Sequence, residues 1–363
     1  MSESTQTNGP GGGDKNTASS ASNTSSAKTA WQFGLSTLER FGVVIAFIAL
    51  FAYNAITQPE TFLKPENLRN LLNQNADIGV IAVGMTLVII AGGIDLSVGA
   101  VMAFGAAVGL ITMNALFEGS MNETLAVIIG LGTGIALGAA CGLLNGLLVT
   151  IGRIPAFIVT LAGLIGFRSV TLAIAEGGEI RAADGLTALQ TLGRGGLEIP
   201  GVLDYYEQPV IFYWNILIFF AVVIAGQLLL GRTRLGRHFI AVGSNEVAAR
   251  YSGIAVNRVR TWSYVLVGAC AGIAALMSLM RMNSVSSSGV GHLAELDAIA
   301  AVVIGGTAMT GGRGRVWGTM LGVLILIMIS NMLTLADVEV YWQGFVKGVI
   351  IILAVLIQRG KAN

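Results

Sequence analysis

Val88 to Val101 reads VIIAGGIDLSVGAV. A long apolar run arrives at Gly92-Gly93, meets a single carboxylate, Asp95, and leaves after Ser97 and Gly99 as a second apolar run. Paired glycines permit backbone angles that a regular helix excludes. A lone Asp between apolar segments is costly in lipid, so it needs a partner, a capping role or a place in a pathway. The stretch reads as a tight turn joining two membrane-crossing helices.

Composition extends that reading to the whole chain. Soluble domains carry roughly 25% charged residues; here 11% of 363 residues are charged, 54% are hydrophobic and the mean hydropathy is +0.75. An all-α polytopic protein embedded in a lipid bilayer is expected. The 49 glycines suit helices that approach closely in lipid. A net charge of +1 implies no nucleic-acid partner. Cys141 and Cys270 fall inside apolar runs and read as small buried thiols rather than a disulfide or metal pair. Residues 1–35 are expected to form a disordered polar tail, rich in Ser, Thr, Asn and Gly. The tail lacks the basic start and apolar core of a cleaved signal, so the first apolar run is expected to serve as an uncleaved one. Residues 36–363 form one transmembrane domain in this reading.

About twenty apolar residues cross a bilayer, and on that rule about ten spans are predicted. They lie near 41–56, 78–91, 96–116, 125–150, 156–175, 210–230, 262–279, 298–310, 316–335 and 342–357. A long polar outer loop, 176–208, and a basic segment, 231–260, interrupt them. With the tail in the cytoplasm, fourteen Lys and Arg fall on inner segments and five on outer ones, the sign expected of the positive-inside rule. Both termini are then cytoplasmic. That orientation puts Asp95 at an inner turn, where it is placed to cap the third span through the N–H groups of Ser97 and Val98. Gly92, Gly93 and Gly99 share their spacing with Gly311, Gly312 and Gly318, each set at a turn between two spans on the same side, the pattern of a parallel internal repeat.

The inner segment 231–260 reads GRTRLGRHFIAVGSNEVAARYSGIAVNRVR. Asn245 can cap a short helix through Arg250, with Glu246 at its positive dipole end. Gly253 suits the left-handed residue that ends it. Ala248 and Ala249 leave a smooth face, and Ile254 and Val256 are expected as exposed apolar contacts. Such a helix, presented between spans, is built to dock another protein; a basic loop resting on anionic headgroups is the alternative.

Three stretches, AGGIDLSVGAV, SNEVAARYSGI and AIAAVVIGGTAMTGGRGRVWGTMLGVLIL (298–326), resemble the permeases of ATP-binding-cassette sugar importers, in the ribose, xylose and galactoside branch. The resemblance covers roughly residues 67–359. It implies a bacterial-type permease of the cytoplasmic (inner) membrane that pairs with a second copy or a paralogue. It also implies a cytoplasmic ATPase on the inner face, an extracytoplasmic sugar-binding protein on the outer face and a monosaccharide substrate. In that family the inner helix couples ATP turnover to the membrane domain; here those positions are Asn245, Glu246, Ala248, Ala249, Arg250, Gly253 and Ile254. The 176–208 loop matches no motif of the family.

The residues agree with that division of labour. No G-x-x-x-x-G-K-[ST] phosphate loop is present, and GGRGRVWG (311–318) lacks the lysine. ATP and Mg are therefore expected on the partner, with no cofactor or metal on this chain. His238 and His292 fall on opposite sides, so no catalytic or metal-ligand cluster is available, and an enzyme is not expected. The Asn122-Glu-Thr sequon reads as incidental. Arg168 and Lys347 lie at membrane depth. Either they snorkel to the outer interface, or they face inward and pair with carboxylates such as Glu176 or Asp297. Asn145, Thr160, Asn331 and Gln343 are polar groups inside spans, available to sugar hydroxyls or to interhelical hydrogen bonds. The competing function is an ion-coupled secondary sugar transporter using Asp95 or Lys347, which would have no need of the docking helix.

Overall fold

A computed structural model describes residues 42–203 and 209–359; the tail expected over 1–35 lies outside them. The chain divides into Met1–Ile45 and a compact unit, Ala46–Asn363. Its helices are α1 (Gly42–Thr57), α2 (Pro59–Phe62), α3 (Pro65–Ile90), α4 (Val98–Glu118), α5 (Glu123–Thr150), α6 (Ala156–Ile174), α7 (Thr187–Arg194), α8 (Trp214–Arg232), α9 (Arg234–Ser244), α10 (Glu246–Tyr251), α11 (Val256–Met282), α12 (Ala294–Ile304), α13 (Val316–Leu335) and α14 (Val340–Arg359). Four short strands accompany them: β1 (Glu179–Arg181), β2 (Gly196–Leu203), β3 (Pro209–Tyr213) and β4 (Ser284–Ser286). Among the described residues, seven helices are long and apolar enough to cross a membrane: α3, α4, α5, α6, α8, α11 and α13.

Helix α3 is the axis of the unit, packed by α8, α11, α12 and α13. It begins at Pro65, thirteen residues before the predicted start at 78. The polar turns that hid this start find partners far away in sequence: Asp77 meets Arg281 at 3.3 Å, Asn67 accepts from Asn331, and Arg69 lies over the Tyr213 ring. Lipid supplies no hydrophobic drive between helices, so close approach of small residues does that work. Gly138 and Gly142 of α5 face Gly268 and Gly272 of α11; a Cβ on Gly142 would overlap the Tyr264 carbonyl. Both cysteines are free and buried.

The predicted eighth span, 298–310, is corrected. Helix α12 holds eleven residues, which rise about 16 Å, half of a roughly 30 Å hydrocarbon core. The chain before it is irregular, entered through β4 and flanked by Asn283 and Leu293, both in the left-handed region. Hydropathy alone merges such a half-helix with its apolar flanks. The predicted sixth span also changes, because its start at Val210 lies in strand β3 and the helix begins at Trp214. The 176–208 loop carries β1, α7 and β2. Strand β1 pairs antiparallel with β4, Ile180 opposite Val285, and the Glu123 carboxylate accepts from Ala188 N and the Thr187 hydroxyl at the start of α7.

Candidate functional site

The basic segment folds as two short helices followed by an early start to α11 at Val256. Thr233 caps α9 by accepting from Gly236 N at 3.1 Å, and Asn245 caps α10 by accepting from Ala248 N at 2.9 Å. Glu246 bridges Arg250 and Arg260, each at 2.8 Å. Gly253, at φ +80°, closes α10. Its N–H donates to Arg250 O, and that of Ile254 to Ala249 O, the paired bonds of a Schellman end. One expectation about the exposed face is overturned: Ala249 and Val256 are buried and Ile254 packs partly on the core. The exposed apolar groups are instead Val247, 63% accessible, and Tyr251, 89%. Four residues apart, they share one face of α10.

This helix pair is fastened to both glycine turns. Gly312 N donates to Ile90 O at 2.9 Å, across from the end of α3. Gly243, in α9, lies so near the Ile90 carbonyl and the Gly312 amide that any Cβ there would overlap them. Gly92, Gly311 and Gly312 all have positive φ, the conformation that these turns take and that glycine adopts without cost. Gly99 and Gly318, the third members of the repeated spacing, each abut another glycine, Gly291 and Gly305 respectively. Beside α10 opens a cavity of about 610 Å³ lined by Gly92, Gly93, Thr150, Arg153, Glu246, Arg250, Arg260 and Tyr264 among others.

Asp95 sits behind this junction, 2% exposed. One of its oxygens, Oδ1, accepts from Ser97 N (2.8 Å) and the Ser97 hydroxyl (2.6 Å), and Asn145 Nδ2 donates to that hydroxyl at 2.8 Å. Ser97 takes the N-cap position of α4. Asp95 thus braces the turn ahead of the cap, and the expected bond to Val98 does not form.

Gly99 and Gly291 mark a crossing where the starts of α4 and α12 meet. Arg168, from α6, donates from Nη1 to the carbonyls of Ser287 (2.9 Å) and Val290 (2.8 Å), and weakly from Nη2 to that of Gly99 (3.5 Å). It therefore faces the protein interior and does not reach Glu176. Glu295, 8% exposed in the first turn of α12, places its Oε2 against Gly99, whose carbonyl Arg168 meets, and is in no ion pair among the described residues. Phe167, next to Arg168 in α6, stacks on Phe104 of α4, centroids 6.1 Å apart and planes at 11°.

The other predicted polar groups do not converge. Thr160 bonds its own helix at Ala156 O, Asn331 donates to Asn67, and Gln343 donates to Thr334 Oγ1 and Val338 O. Lys347 pairs with Asp297 at 3.3 Å, one of the two partners anticipated from sequence. Asn122 caps α5 by accepting from Leu125 N. No metal-binding group of three or more His, Cys, Asp or Glu occurs among the described residues. Sequence reasoning missed Val247, Tyr251, Gly243 and Glu295. The first two stood in the quoted motif, but their exposure is a tertiary fact.

Seven helices long and apolar enough to cross a membrane, glycine turns between them and a capped helix pair displayed at one end describe a polytopic membrane protein. Residues 67–355 match the family described as branched-chain amino acid transport system / permease component. The ribose import permease protein of Bacillus subtilis (strain 168) is 38% identical over 328 residues, 90% of this chain and 94% of its own. That of Escherichia coli (strain K12) is 40% identical over 321 residues, 88% and 93%. The xylose transport system permease protein of Escherichia coli (strain K12) is 34% identical over 369 residues, 88% and 91%. The chain belongs to this permease family, in its monosaccharide-importer branch. It is a multi-pass protein of the cytoplasmic membrane and a transport component, not an enzyme.

Proposed function

We propose that this chain is the membrane-spanning subunit of an ATP-driven importer that moves a ribose-like or xylose-like monosaccharide into the cell. The observation that carries this reading is the match to ribose and xylose permeases over nine-tenths of the chain. The family's broad description names amino-acid systems; the sugar reading is preferred because it comes from relatives 34–40% identical to this chain. Ten crossings, with α12 and its irregular lead-in counted as one, put both termini in the cytoplasm, supported by the basic inner segments.

On that orientation α10 faces the cytoplasm. Its Val247–Tyr251 face receives the ATPase, which binds ATP and Mg, while Asn245, Glu246, Arg250 and Gly253 hold the helix in shape. The fastening of α9 to Ile90 and Gly312 gives nucleotide-driven movement a route into α3 and the glycine turns. A binding protein delivers sugar to the outer face, and a second copy or a paralogue completes the pathway. The test is uptake of radiolabelled ribose and xylose by vesicles holding the assembled complex. ATP-dependent uptake insensitive to ionophores is expected; uptake that persists without ATP and collapses with an ionophore would establish the ion-coupled carrier instead.

A further inference from the structure

The crossing of α4 and α12 contains two charged groups that the docking end does not use. Helix α12 rises about 16 Å from the 305–315 turn, which touches Gly92 and Gly243. Its first residues therefore stand near the middle of a roughly 30 Å core. An ionisable side chain at that depth is expensive and marks a pathway more often than a scaffold. Glu295 is more than nine-tenths buried there, its Oε2 set against Gly99 and in no ion pair among the described residues. Arg168 has five N–H donors; three go to the carbonyls of Ser287, Val290 and Gly99, which leaves two.

We infer that Arg168 and Glu295, with the Phe167–Phe104 stack joining the same helices α6 and α4, form a mid-membrane contact site for an uncharged polyol, and that they help set which sugar passes. This deepens the permease reading and rests on it. Opposite unit charges at one site cancel at a distance, so the site has little attraction for a lone ion. At close range it offers a carboxylate acceptor and guanidinium donors, which match the vicinal hydroxyls of a sugar. The stacked rings supply an apolar surface for the sugar's C–H face. A half-helix whose N-terminal end lies at the midplane is a device by which membrane carriers hold polar substrate groups. Gly99 is required for the close approach, because a Cβ there would overlap the Gly291 carbonyl.

The test is a reconstituted complex of permease, ATPase and binding protein, assayed for labelled ribose and xylose uptake per ATP hydrolysed, with leucine as a zwitterionic probe. For Glu295→Gln and Glu295→Asp, uptake per ATP is expected to fall about tenfold, as for loss of a charged hydrogen bond, and the ribose-to-xylose ratio to move at least about threefold. Arg168→Lys is expected to shift the same ratio. If uptake and ATP hydrolysis fall in parallel and the ratio stays fixed in all three variants, the pair is a scaffold and the inference is overturned. If the unaltered complex moves leucine and neither sugar, the permease reading itself fails on substrate class, and the inference with it.

Discussion

Arg281, in the last turn of α11, closes a 3.3 Å ion pair with Asp77, halfway along α3, across 204 residues of sequence. The carboxylate is 6% exposed and would be a bare charge without it. Arg281→Ala is therefore expected to lower stability by about 3–5 kcal/mol, the usual result of leaving one member of a buried pair. Asp77→Leu combined with Arg281→Met is expected to recover most of that. Thermal unfolding in detergent, followed by size-exclusion, measures both; a double variant no better than the single removes the argument.

The exposed face of α10 gives a second expectation. Tyr251→Ala and Val247→Asp should leave the permease folded and weaken ATPase association by about 2 kcal/mol each, near thirtyfold in Kd, as for an interface hot spot. Co-purification with the ATPase and a binding titration report it. Ala249→Asp, at a buried position, should instead lower the yield of folded protein.

Gly253 separates conformation from space. Its φ is +80° and nothing lies within 4 Å of where a Cβ would stand. Gly253→Ala is expected to cost about 1 kcal/mol of local helix stability and to permit transport. Gly253→Trp should insert normally and uncouple ATP hydrolysis from uptake; unchanged transport in that variant would argue against α10 as the docking element.

The pairing of β1 with β4 has a pH signature. The Glu179 carboxyl lies below its ordinary 4.5 because the Ser284 hydroxyl, and then Arg181, bond its charged form. A depressed carboxylate stabilises above its unfolded value and loses that contribution as pH falls through the folded one. Amide protection factors at 179–181 and 284–286 should accordingly fall below about pH 4.5, and Ser284→Ala should abolish much of the pH dependence.

The long-period features were legible. The predicted fifth and ninth spans coincide with α6 and α13 within a residue, because their apolar runs are bounded by Pro155 and Arg315 at one end and polar residues at the other. The Asn245 cap and the Gly253 end were legible because each depends on residues within one turn. What escaped was non-local. Asp77 and Asn67 lie inside α3 only because Arg281 and Asn331 come to them. The half-helix α12 could not be told from a span by hydropathy, since the chain that follows it, Gly305 to Thr310, is small or apolar while being non-helical. Glu295 was passed over because a lone Glu before an apolar run reads as an interface residue; the burial that makes it a candidate comes from Gly99 pressing against Gly291.

The Gly243 crossing, pressed between Ile90 and Gly312, has a mechanical meaning. Backbone against backbone leaves no side chain to compress or re-rotamerise, so the junction behaves as a yoke: α9 cannot shift without dragging the end of α3 and the turn before α13 together. A load applied at α10 would thus reach the glycine turns after α3 and before α13 at once, and in step, through a joint with almost no slack.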